Sequence, residues 1–216
     1  LRDNNSLATK STIMAMGDLV LDSDSLTNSG SITGNNIAIT TNNDITNKNF
    51  SDIVATNSLD LTSSDGSIIN FSKLKAGGLV SLTAANNITN TALVKTNDAN
   101  LLNSNNPAYV SNGATARTSG NISSTLIETA LIEAGSLRVN AGNDFNNIGS
   151  NITTTTGGLD IIAGDDIRIE TVELRNRSEV RSKKYTKITD ETKNIGSNIN
   201  TGGNFVLNAG NDALIK

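Results

Sequence analysis

The sequence predicts an all-β fold of stacked short strands, a parallel β-helix, and three observations lead to this prediction. One phrase recurs along the chain, in which alternating apolar residues are followed by a small, polar corner. The recurrences are spaced by about 20–22 residues. The 216 residues include 33 Asn and 18 Gly but only 3% aromatic residues. Such a composition suits a thin, layered core better than the core of a compact globular domain.

Four copies of the phrase align on their small corner, and they begin at Val80, Leu137, Leu159 and Phe205. Alternation of apolar and polar residues over four or five positions is the period of a strand with one buried face. The corner reads Ala-Gly-Asn-Asp in two copies. It is typical of turns, because Gly accepts a positive φ and Asn or Asp can bond its own backbone. We therefore expect each copy to be a strand followed by a tight turn.

Weaker copies continue the rhythm toward the N-terminus. The steps from Leu21 to Ile39, Leu61 and Leu82 are 18, 22 and 21 residues. Two or three short strands in each period of about 20 residues describe one coil of a parallel β-helix. Equivalent residues of successive coils would then stack about 4.8 Å apart.

This stacking predicts interior ladders of Ile, Leu and Val and hydrogen-bonded ladders of Asn at the turns. Ile161 is expected to point inward, with Val139 and Leu82 stacked beside it, while Asp160 faces outward. We expect large aromatic side chains to be excluded from so narrow a core.

The whole chain, 1–216, is interpreted as a single β-helix segment of a larger protein, an expectation supported by its start at Leu1 rather than Met. Residues 1–96 contain degenerate coils, 97–129 are predicted to be irregular, and 130–216 carry the clear repeats. The stretch TLIETALIEA from Thr125 fits either a short amphipathic helix or strands. A strand is favoured for its end, Ala130 to Ala134, where the aligned copies begin a coil.

A basic excursion over 171–194 interrupts the repeats. It carries seven cations and four carboxylates, a net charge of +3, whereas the whole chain has −4. Partial alternation within it predicts elongated strands or a hairpin that leaves the coils. Charged runs are usually solvated faces. The functional alternative is contact with an anionic surface, through these six residues: Arg175, Arg177, Arg181, Lys183, Lys184 and Lys187.

Composition argues against several classes of site. The chain has no Cys and no His, which removes the usual nucleophile activators and most transition-metal ligands. Asn143-Asp144 and Asp165-Asp166 fit either calcium ligands or corner residues. The corner is favoured, because Asn86-Asn87 fills the equivalent place without a carboxylate. No acid–base pair stands out. We therefore predict no enzyme, no cofactor and no metal.

The acidic balance argues against a nucleic-acid partner. No apolar run approaches the roughly 20 residues of a membrane-spanning helix.

The region from Ala130 to Lys216 resembles the haemagglutinin repeats of filamentous-haemagglutinin-type exoproteins, which include those of contact-dependent growth inhibition. The resemblance is carried by RNRSEVRSKKYTKITDETKNIGSNINTGGNFVLNAGND, a basic Ser/Thr-rich run that ends in Ile-Gly-Ser-Asn-Ile, Gly-Gly and Ala-Gly-Asn-Asp. The N-terminal half matches by composition and rhythm. The resemblance implies a right-handed parallel β-helix, exported through an outer-membrane secretion partner and displayed on a Gram-negative cell surface.

The function expected from this resemblance is structural. The chain would be a rod segment of a large secreted exoprotein that supports adhesion or delivery of a toxin to a target cell. Two alternatives remain open. In one, the flank of the rod binds glycan or lipopolysaccharide directly. In the other, the same fold carries an enzyme that acts on polysaccharides.

Overall fold

The computed structural model of the protein describes residues 10–99, 110–112, 115–181 and 185–216. Over these residues the chain is all-β, with 24 strands, numbered β1 to β24 in chain order, and no helix. The strands form three sheets.

The first sheet has twelve strands, all paired in parallel. They are β1 (Thr12–Met14), β2 (Leu19–Ser23), β4 (Ser31–Thr41), β6 (Asp52–Ser63), β8 (Lys73–Ala76), β9 (Leu79–Ala84), β14 (Leu131–Ala134), β15 (Ser136–Ala141), β17 (Asn151–Thr154), β18 (Leu159–Ala163), β22 (Asn198–Asn200) and β23 (Phe205–Ala209). The long strand β6 pairs with β8 through its first half and with β9 through its second half. The sheet therefore consists of two rows of parallel strands that are joined at the long strands β4 and β6, and it curls into a half-barrel.

The second sheet has seven strands, also all parallel. They are β3 (Leu26–Asn28), β5 (Ile45–Asn47), β7 (Ile68–Asn70), β10 (Ile88–Thr91), β16 (Phe145–Ile148), β19 (Ile167–Glu170) and β24 (Ala213–Ile215). The chain passes repeatedly from the first sheet to the second and back again. We call each such passage a coil.

The register of the strands confirms the alignment of the repeats. Val80, Leu137, Leu159 and Phe205 are Cα partners in consecutive strands of the first sheet. The weaker copies are in register too, because Leu21, Ile39, Leu61 and Leu82 form another row of partners. Equivalent residues of successive coils therefore stack directly on one another.

Alternate residues of these strands point into one continuous apolar core. Leu82, Val139 and Ile161 stack in it, with 1%, 0% and 0% of their surfaces exposed. Each such side chain contributes roughly 1.5–3 kcal/mol on burial. The expected exclusion of large aromatics is wrong at one position, because Phe145 is completely buried. The inward residues that end β9, β15 and β18 are alanines, which leaves room for a larger side chain in the second sheet.

A buried ladder of asparagines runs along the end of the second sheet. Its members are Asn28, Asn47, Asn70, Asn90 and Asn147. Each Nδ2 donates to the Oδ1 of the next member, at 2.7–2.8 Å, and Nδ2 of Asn147 donates to the carbonyl of Ser150 instead. The predicted Asn ladder is therefore present, and it lies where the chain turns from the second sheet back to the first.

The glycines of the Ala-Gly corner were expected to adopt a positive φ, but the structure gives a different reason for them. Among the described glycines only Gly149 has a φ in the left-handed region. At Gly142, Gly164 and Gly210 the limiting factor is space. A Cβ on Gly164 would lie 2.0 Å from the carbonyl oxygen of Gly142. Successive corners pack backbone against backbone, so a side chain has no room.

The third sheet is antiparallel and is built from two excursions of the chain. Its strands are β11 (Leu93–Ala99), β12 (Val110–Asn112), β13 (Thr115–Glu128), β20 (Val172–Arg181) and β21 (Thr186–Ile195). The expectation of an irregular segment over 97–129 is wrong for its described part, and there are two excursions rather than one. No side chain of β13 from Asn121 to Glu128 is fully buried, so this part of the strand has no face in the main core. Its sequence therefore lacks the apolar alternation by which strands are recognised.

Candidate functional site

The two excursions leave the coils at the same corner, where the second sheet returns to the first. Ala92 precedes the first excursion, and Val172 begins the second. The coil between them turns tightly at Gly149. A Cβ on Gly149 would lie 2.5 Å from Cγ1 of Val172 and 3.2 Å from Cβ of Ala92. Because Gly149 has no side chain, the two excursions can begin close to this corner, one on each side of it.

The basic excursion forms a hairpin in which β20 and β21 pair from Val172–Ile195 to Arg181–Thr186. On its other side β20 pairs with β13, so the hairpin is fixed to the first excursion. Among the described strands β21 pairs only with β20, and nine of its ten residues are exposed. The hairpin therefore presents a long open edge to solvent.

Arg175 does not offer a free charge. Its Nε and Nη2 donate to the two carboxylate oxygens of Asp190 on the facing strand, at 2.9 and 2.6 Å. This hydrogen bonding holds the pKa of Asp190 below its ordinary value and raises the pKa of Arg175. The carboxylate therefore stays ionised, and the pair has no net charge.

Arg177 is also paired, because its Nη2 lies 3.2 Å from Oε2 of Glu179 two residues along the strand. Lys187 is exposed on β21, and no described residue forms an ion pair with it. The side chain of Arg181 and the whole of Lys183 and Lys184 lie outside the described part of the chain.

The structure brings together two of the six predicted contact residues, but with carboxylates beside them. Register places Arg175, Arg177 and Asp190 on one side of the hairpin, and Lys187 and Lys193 on the other. The described cations of the hairpin are therefore divided between two faces, and each face also carries carboxylates. A count along the sequence could not show this division. Contact with an anionic surface stays a prediction, and it rests mainly on Lys187 in β21 and on Lys183 and Lys184, which precede β21 in the sequence.

The acidic corners take part in a second ladder, on the outside of the coils. Oδ1 of Asp144 accepts the backbone N–H of Asp166, and Oδ1 of Asp166 accepts that of Asp212, at 3.2 and 3.1 Å. Arg168 forms ion pairs with both Asp144 and Asp166. These carboxylates act as the corner residues that the sequence favoured.

No group of three or more potential metal-ligating residues occurs among the residues that the structure describes. Within the same residues, no helix has the length and apolar character to cross a bilayer.

Sequence reasoning missed the corner around Phe50. Phe50 is the one non-glycine residue, of those described, with a positive φ, 57°. Its backbone N–H donates to Oε2 of Glu128, at the end of β13, and Oε1 of the same carboxylate accepts from Oγ of Ser72 at 2.6 Å. No local signal announces this arrangement, because Glu128 comes from a distant excursion.

The sheets, the two ladders and the hairpin are the features that a related protein would share. Comparisons with protein-family models, with curated proteins and with solved structures give no match.

Proposed function

We propose that the chain is a right-handed parallel β-helix. Parallel strands of one sheet, separated by a crossover through another sheet, are joined with right-handed connections in about 98% of cases. Each coil here makes such a connection between neighbouring strands of the first sheet. The in-register stacking of Leu82, Val139 and Ile161 supports a solenoid whose coils contact only their neighbours.

We further propose that this solenoid is a rod segment of a large, secreted bacterial surface exoprotein, and that it is not an enzyme. The observation that carries the proposal is the continuous core, which runs through successive coils. A rod of this kind can hold adhesive or toxin-delivering parts away from the producing cell. The resemblance of 130–216 to haemagglutinin repeats supports the same function, with export through an outer-membrane partner.

Removal of one whole coil tests the rod. Deleting residues 61–81 joins Asp60 to Leu82, which is the Cα partner of Leu61. We expect the shortened chain to keep its β circular-dichroism spectrum and a cooperative unfolding transition. Small-angle scattering should show a rod shorter by one strand spacing, about 4.8 Å.

Deleting only residues 61–70 is the matched control. This deletion displaces the stacked register by half a coil, so the shortened chain should lose its cooperative transition. If both deletions are tolerated equally, or if the spectrum is dominated by helix or random coil, the solenoid proposal is wrong.

In this proposal the hairpin is the part of the rod that meets the target cell. We expect a variant with Arg175, Arg177, Arg181, Lys183 and Lys184 all changed to Gln to bind anionic vesicles at least about tenfold more weakly at low salt. Each basic residue near an anionic surface contributes about 1 kcal/mol, and we expect Lys183 and Lys184 to supply most of the effect. Vesicle sedimentation measures the binding, and the β spectrum should be unchanged.

A charge-balanced variant, Arg175→Gln with Asp190→Asn, is the control, because it removes one cation and one carboxylate together. It should bind these vesicles like the parent. If the five-fold variant binds as well as the parent, or if the parent does not bind, the hairpin is only a solvated face.

A further inference from the structure

We propose that the corner at Phe50 is a binding site for an acidic saccharide, a sugar ring that carries a carboxylate. This inference is independent of the rod function, because it concerns one corner and not the length or export of the chain.

The backbone at Phe50 is the first observation. A left-handed φ is uncommon for any residue with a side chain and is a genuine outlier for a bulky one. At the corner three coils further on in the structure, this conformation is adopted by Gly149, with a φ of 56°. Glycine would therefore meet the folding requirement at Phe50. A strained residue that folding does not require indicates a function.

The exposure of the ring is the second observation. Phe50 is 51% exposed, in a chain with only four Phe and two Tyr. Phe71 lies at the same corner one coil further on, where its N–H donates to the carbonyl of Asn47 at 2.9 Å. Phe71 itself is partly buried. The ring of Phe50 thus contributes little to the core, and about half of the residue is exposed to solvent.

The corner is held rigidly from several sides. Glu128 accepts the N–H of Phe50, as described above. The next residue, Ser51, is fully buried, and its Oγ donates to Oδ1 of Asn47 at 3.0 Å. Asn47 is itself fixed in the buried ladder. A binding residue supported in this way loses little conformational freedom when a ligand docks.

The charges around the ring determine the ligand. Nζ of Lys10 lies 6.0 Å from the centre of the Phe50 ring. Lys48 is exposed in the same corner. The nearby carboxylate of Glu128 is already bonded to the N–H of Phe50 and the hydroxyl of Ser72. The corner therefore combines the negative face of an aromatic ring with a cation that lies over it.

A saccharide with a carboxylate fits this combination. Its C–H groups carry partial positive charge and pack on the face of an aromatic ring. Its carboxylate can meet the ammonium group of Lys10. The half-exposed ring suits the flat face of a sugar better than an aliphatic side chain that must be enclosed.

The test is titration of the whole chain with a hexamer of galacturonate, followed by calorimetry and thermal unfolding. Phe50→Gly should weaken binding at least tenfold while the melting temperature stays the same or rises by about 2–4 °C, because strain is relieved. Phe50→Leu keeps an apolar side chain without the aromatic face, and it should also lose binding. Lys10→Gln should weaken binding of the acidic hexamer and reduce its salt dependence.

Val20→Ala is the control, because Val20 is an apolar side chain of similar exposure, 67%, on an ordinary strand. It should bind like the parent. The inference is overturned if Phe50→Gly binds the hexamer unchanged or melts several degrees lower, since Phe50 would then be structural. It is also overturned if the parent binds only anionic vesicles or an uncharged hexasaccharide. None of these results depends on the coil deletion that tests the rod.

Discussion

Ile161→Asp is expected to lower the free energy of unfolding by roughly 4 kcal/mol or more. Ile161 is fully buried and stacks between Val139 and Leu207 in successive coils. The substitution removes an apolar side chain from this row and places a carboxylate there without a partner, and both changes are costly. Chemical denaturation followed by circular dichroism measures the loss.

The next residue supplies a matched control. Ile162 is 40% exposed and faces away from the core, so Ile162→Asp should cost well under 1 kcal/mol. Asp160→Asn, also on the outer side of the strand, should be similarly mild. If all three variants unfold at the same denaturant concentration, the assignment of inward and outward faces is wrong.

Asn70→Ala is expected to destabilise the chain by roughly 2–5 kcal/mol. Asn70 lies in the middle of the buried ladder, where its amide bonds both Asn47 and Asn90 and also the backbone of Ser72. Alanine would remove the partner of one N–H of the buried Asn47 amide and the partner of the buried Oδ1 of Asn90. Each buried group that loses its partner costs about 1–3 kcal/mol. Thermal and chemical unfolding measure the effect.

Asn146→Ala provides the comparison, because Asn146 precedes a ladder residue but points outward and bonds no described side chain. It should change the stability by no more than about 0.5 kcal/mol. Equal effects of the two substitutions would contradict a special role for the ladder.

The ladders were predictable because their signals are local and repeated. Alternation assigns the inward residues, and stacking places Asn70 beside Asn47 and Asn90 once the period is known. The reason for glycine at Gly164 was not predictable. A corner in the sequence indicates a turn, but only the structure shows that the next backbone lies within 2.0 Å of the position of a Cβ.

The candidate sites were harder to predict, because they too depend on which parts of the chain pack against each other. Cations of the excursion are adjacent in the sequence, but pairing of Arg175 with Asp190 depends on which residues face each other across the hairpin. Phe50 and Glu128 are 78 residues apart. A contact of this kind follows from the way that an excursion packs against a coil, and no repeat records it.

The departure of both excursions from one corner limits how this chain can change in length. An insertion of one residue inside a strand would turn the later inward side chains of that strand outward. Longer insertions would displace the stacked register until a whole coil had been added. A segment inserted at this corner would leave the coil and rejoin it at a neighbouring point. The stacking of the coils therefore sets no limit on the length of that segment. The steps of 57 residues from Leu82 to Val139 and 46 from Ile161 to Leu207 are both accommodated in this way. New segments, in natural variation or in engineering, are therefore expected to enter at this corner, while other parts of the chain change by whole coils.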